Sequence, residues 1–89
     1  MRAVITVIGK DAVGILASVS AKCAQNNINV LEVTQSILQD LFAMIMLVDI
    51  KESTIEFTKF ADELTALAKT KNLSIHAMHE DIFNAMHTI

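Results

Sequence analysis

The two glycines of this chain, Gly9 and Gly14, both fall in one stretch, Gly9-Lys10-Asp11-Ala12-Val13-Gly14-Ile15-Leu16. Before it runs a breaker-free, β-branched and apolar segment, Arg2 to Ile8. After it an amphipathic segment begins at Ile15. A strand-like run followed by a helical period means that a strand ends and a helix starts inside this stretch. The first strand, residues 2–8, is apolar throughout and reads as a buried central strand. In the helix, Ile15, Leu16, Val19 and Cys23 share one face, with Ser18, Lys22 and Gln25 on the other. Asn26-Asn27 closes it, because Asn tolerates the left-handed conformation of a helix C-terminus.

Residues 28–38 read as a second strand, with Leu31, Val33 and Ile37 alternating against Glu32, Thr34 and Ser36. Gln39-Asp40 breaks the pattern briefly, and Leu41 to Ile50 resumes it, so the two strands form a hairpin. This third strand is apolar on both faces. One face meets the helices, so the other requires a cover as well. Ser53-Thr54-Ile55-Glu56 has the form of a capping box, with Ser53 at the N-cap. The helix it opens carries Phe57, Phe60, Ala61, Leu64, Leu67 and Ala68 as a stripe. Lys69 and Lys71 suit the negative end of its dipole, and Asn72 ends it. Leu73 to Met78 is a fourth strand. In the tail, Asp81 to Ile89, the residues Ile82, Phe83, Met86 and Ile89 predict a short helix with a docked apolar side.

The predicted order is β-α-β-β-α-β. The fold class is α+β: a ferredoxin-like βαββαβ sandwich with a four-stranded antiparallel sheet, two helices on one face and a short C-terminal helix. Residues 1–89 make one domain at this length. Hydrophobic residues are 53% of the chain, an excess for so small a core. That predicts a second buried surface, and so a homodimer or higher homo-oligomer.

Seven basic against ten acidic residues, a net charge of -3, argue against a nucleic-acid partner. The lone Cys23 excludes an internal disulfide and fits a reducing compartment. No segment has the length of a membrane span and the N-terminus does not read as a signal peptide, so no membrane partner and a cytoplasmic location are expected. Among modules of this fold, RNA readers need stacking aromatics on the central strands, and here only Phe42 is present. Metal carriers need a cysteine pair in the first loop, and a phosphate-holding first loop needs an arginine; neither is present. His76 and His79, three apart on a strand, point to opposite faces. No metal and no cofactor is expected, and no catalytic constellation is visible, so the chain is expected not to be an enzyme.

Asp11, Gly14, Ile15 and Leu16, followed after one helix by Asn27-Ile28-Asn29-Val30, resemble the ACT domain family, small regulatory modules that bind amino acids. The family's pattern at these positions is Asp-x-x-Gly-Ile/Leu-Leu/Val, then Gly-Ile-Asn-Ile or similar. Val13 and Asn27 depart from it, where Pro or Ser and Gly are usual. The resemblance runs the full length. The opening Ala-Val-Ile-Thr-Val-Ile-Gly-Lys-Asp and the ending His-Glu-Asp-Ile-Phe-Asn-Ala-Met-His are similar to stand-alone ACT proteins of the UPF0237 type, related to the ACT pairs of glycine-cleavage regulators.

The resemblance implies a ligand site at Asp11, Ala12, Val13, Gly14, Ile15 and Leu16, with Asn29 and Val30 as a second wall; Asn29 opens the second strand beside the expected dimer seam, where its amide can reach a ligand bound at a partner's loop. The chemistry agrees: the helix start offers free N–H groups to a carboxylate, Gly14 allows close approach, and Asp11 can accept an ammonium group. The same residues have plainer uses. Asp11 can be an N-cap, Gly14 can relieve crowding against the second strand, and Asn29 can be a turn residue. The expected function is a non-catalytic homodimeric module that binds a small molecule, an amino acid, and acts on a regulated protein partner. The alternative is a ligand-free dimerisation or partner-docking module.

Overall fold

The computed structural model describes residues 1–10 and 14–87. Seven elements follow in order: β1 (Arg2–Gly9), α1 (Ile15–Gln25), β2 (Asn29–Leu38), β3 (Leu41–Asp49), α2 (Phe57–Lys71), β4 (Ser74–His79) and α3 (Glu80–His87). The sheet order is β2-β3-β1-β4, and every neighbouring pair is antiparallel. This is the ferredoxin-like arrangement, with the C-terminal helix added.

The period of two sorts β1 and β3 cleanly. Ala3, Ile5 and Val7 lie opposite Val48, Met46 and Met44, and all six are buried. Ile15, Val19 and Cys23 of α1 and Phe60, Leu64 and Ala68 of α2 close over this layer in one continuous core. Each fully buried large side chain there contributes roughly 1.5–3 kcal/mol. Asn26 is the buried polar residue among those described. Its amide donates to the Lys22 carbonyl at 3.1 Å and to the Glu63 carboxylate at 2.9 Å, which ties the end of α1 to α2. Asn27 and Asn72 take the expected left-handed conformation after α1 and α2, with φ of 58° and 57°.

Four local expectations are corrected. The capping box does not form. Glu56, not Ser53, stands at the N-cap of α2, and no side chain caps the helix. The Ser53 hydroxyl instead closes a turn on Ile55, donating to its carbonyl at 2.8 Å. The alternation in β2 is interrupted by a bulge at Leu31, between the pairs Val30–Val48 and Glu32–Leu47. Two residues oppose one there, which leaves Leu31 exposed while Val30 and Val33 pack on the core. Leu16 is exposed rather than on the buried face of α1. The tail helix docks only part of its apolar side: Phe83 is half-buried, whereas Ile82 is 53% and Met86 70% exposed. Ile89 lies outside the described residues.

Beyond the core layer, the second face of the sheet carries Val4, Ile8, Ile45 and Leu47. α3 crosses one corner of it, where Phe83 lines a 210 Å³ cleft together with Val4, Ile45 and Leu47. The first residue of α3 is held by a two-pronged ion pair: Arg2 Nε and Nη2 donate to the Glu80 carboxylate at 2.9 and 2.7 Å. Ile45 and Ile8 stay exposed. Part of the apolar excess seen in the sequence sits on this face and on α3, and the rest includes the exposed Leu16 of α1, Leu31 and Ile37 of β2 and Leu41 of β3.

Candidate functional site

β1 delivers the chain to Lys10, and α1 leaves from Gly14. Gly14 is the N-cap residue, with φ 74° and ψ 1°, a conformation that other residues rarely take. Its carbonyl accepts the first helical bond, from Ser18 N–H at 2.9 Å. A Cβ at this position would meet no atom within 4 Å. Gly14 therefore does not relieve crowding against β2; it is needed for its backbone angle, and the place its Cβ would take is open among the described residues. The crowded glycine is Gly9, where a Cβ would run into the Leu73 side chain. Gly9 lets the turn that enters β4 lie against the end of β1, a structural role that the sequence reading had not assigned.

The first turn of α1 has no acidic residue, and no side chain among the described residues caps it. Its N–H groups thus present the positive end of the helix dipole without a described counter-charge. Ile15 anchors the helix in the core, and Leu16 faces outward beside the loop. Asp11, Ala12 and Val13, three of the expected site residues, lie outside the described residues.

The remaining expected pair is elsewhere. Asn29 is exposed at the start of β2, in register with Asp49, which in turn faces Arg2. Val30 is half-buried beside it. Gly9, at the loop end, pairs with Phe42. The sheet runs between these two ends, so Asn29 and the glycine loop are about 23 Å apart along the strands. Within one chain the structure does not bring them together. Phe42 is also the partner of Ile37, so the far end of β2 is the end that lies near the loop.

The other chemistry-bearing residues are dispersed. His76 and His79 occupy opposite faces of β4; His79 stacks on Phe57, with ring centroids 4.4 Å apart. Among the described residues no three of His, Cys, Asp and Glu converge on one point. Cys23 is buried, and that burial pushes its thiol pKa up to about 11, which keeps it protonated and unreactive. A cleft lined in part by the turn that joins β3 to α2 lies at the Asn29 end of the sheet. No helix among the described residues is long and apolar enough to cross a membrane.

A family model described as the ACT domain matches residues 2–78. A UPF0237 protein of Listeria innocua is 49% identical over 89 residues, covering all of both chains. The solved structure of an ACT domain protein from Streptococcus pneumoniae superposes with a TM-score of 0.82 at 37% identity, covering 93% of each chain. A candidate glycine cleavage system transcriptional repressor superposes with a TM-score of 0.73 over 86% of this chain and 44% of its own. At 22% identity, that last likeness is one of fold.

Proposed function

The chain belongs to the ACT domain family, and from that premise we propose that it is a non-catalytic regulatory module whose homodimer binds a free amino acid. The observation that carries this reading is the start of α1. Gly14 holds a left-handed angle, the place a Cβ would take there is open among the described residues, and the helix N-terminus behind it is uncapped by any described side chain. Such a terminus suits the carboxylate of a zwitterion, and Asp11 is placed in the sequence to take the ammonium group.

Asn29 joins the site from a second copy. β2 is an edge strand whose outer side is unpaired, and its exposed Leu31 and Ile37 flank that edge. Two copies joined antiparallel along β2 place the Asn29 end of one beside the Ile37 end of the other. That is the end near the glycine loop, so the two walls separated in one chain meet between two. Output passes to a protein partner through a difference in ligand affinity between two states of the dimer.

Melting temperature followed against each of the twenty amino acids tests the proposal. A ligand at one hundred times its dissociation constant adds about 2.7 kcal/mol. Asp11→Ala and Asn29→Ala should each remove the shift and leave the apo melting temperature in place. If no amino acid at millimolar concentration moves the transition, the sensing role is refuted, and the ligand-free dimerisation module takes its place.

A further inference from the structure

At the Asn29 end of the sheet, the turn from β3 into α2 folds over the core layer and leaves a cleft of about 390 Å³. That volume is in the range of small-molecule pockets. Its walls are apolar: Ile28 from the turn before β2, Ile50 and Ile55 from the turn, and Phe60 from α2. Phe57 and His79 add an aromatic wall, their rings packed against each other with centroids 4.4 Å apart and planes inclined by 33°.

The polar lining is asymmetric. No acidic residue lines the cleft. The Ser53 hydroxyl is already committed to the Ile55 carbonyl at 2.8 Å. Lys51 is exposed, and its ammonium forms no ion pair among the described residues. The Asp49 carboxylate accepts the Lys51 backbone N–H at 2.9 Å, pairs with the N-terminal ammonium of the lining residue Met1 at 3.7 Å and itself stays outside the lining, so Lys51 is the cation there left without an ion pair among the described residues. The charge available to an occupant is therefore positive, at the edge of an apolar slot.

We propose that this cleft is a second ligand site, separate from the glycine loop, that takes a small monocarboxylate with a flat apolar body. The body lies on the Phe57–His79 pair between Ile28, Ile50 and Ile55. The carboxylate meets Lys51. An ammonium group on the ligand finds no counter-charge in the lining, so the cleft prefers a simple carboxylic acid to an amino acid.

Phenylacetate is the probe, with the neutral phenylacetamide of the same shape beside it, titrated into the full chain and followed by NMR. Phenylacetate is expected to move the signals of Ile28, Ile50 and Ile55 and to leave Gly14 and Ile37 in place. Phenylacetamide should bind about threefold to fivefold more weakly, the scale of one exposed charge pair. Lys51→Gln, a surface change, should erase that preference while the rest of the spectrum holds. Ile55→Trp, which fills the slot, should abolish the phenylacetate shifts, and Asn29→Ala should not. The proposal is overturned if millimolar phenylacetate moves nothing, if the shifts centre on Gly14, or if Lys51→Gln still prefers the acid.

Discussion

Adding one methyl group to each glycine separates the two jobs they do. At Gly9 the new Cβ meets the tip of the half-buried Leu73 side chain, which can turn aside, so Gly9→Ala should cost at most about 1 kcal/mol in urea denaturation. Trimming the neighbour in the double variant Gly9→Ala, Leu73→Ala should return part of that loss. At Gly14 there is nothing to strike, only a φ of 74° to maintain, so Gly14→Ala should cost about 1 kcal/mol and gain nothing from Leu73→Ala. Equal responses of both glycines to the Leu73 change would refute the distinction. Cys23 gives a second residue-scale test. Its folded pKa of about 11 lies above the unfolded value of 9.0, so the folded chain keeps a proton that the unfolded chain releases. Stability then falls as pH rises from 9.0 toward about 11. The slope should be shallower in Cys23→Ala across that window, and equal slopes would show that burial does not hold the proton.

Turns decide where the elements begin, and they differ in how well the sequence announces them. Asn27 and Asn72 were readable as helix ends because Asn tolerates the left-handed angle that both adopt. Gln39 adopts the same kind of angle, φ 59°, at the β2–β3 hairpin, where Gly or Asn is the usual residue. Gln39→Gly should therefore raise the unfolding free energy by about 0.5 kcal/mol, the relieved strain exceeding the entropy added to the unfolded chain. A loss of stability there would mean that the Gln39 side chain has a role of its own. The fold was legible because strand and helix periods are set by core burial, and Ile5, Met46, Val19 and Phe60 all sit where those periods place them. The bulge at Leu31 was hidden, since an extra residue in an apolar strand leaves no mark on composition. The start of α2 was misread for a related reason: Ser53 can bond to its own turn as readily as to a helix, and the local sequence is the same for both. Of the candidate site, Gly14 was legible as a backbone requirement and Asn29 as a residue that reaches a partner's loop, whereas the size of their separation within one chain comes from the sheet register.

For the whole molecule, that distance makes the proposed amino-acid binding a property of two chains. If one site is built from the glycine loop of one copy and Asn29 of the other, ligand and dimer stabilise each other by the same factor. Ile37, 70% exposed beside the free edge of β2, is the place to break the pair. Ile37→Lys should give a monomer in sedimentation velocity that melts as a folded protein yet no longer shifts with the amino acid. Complementation probes the same geometry without disrupting it. Asp11→Ala removes the loop half of both sites in a homodimer, and Asn29→Ala removes the strand half of both. In a mixed dimer the two lesions fall in one site, because the loop of each chain faces Asn29 of the other. The opposite site is then wholly intact. Random mixing makes half the dimers mixed, each with one good site of two, so about a quarter of the sites should recover. Isothermal titration of the re-equilibrated mixture measures that fraction directly. A site contained in a single chain predicts no recovery at all, because every chain in the mixture carries one lesion.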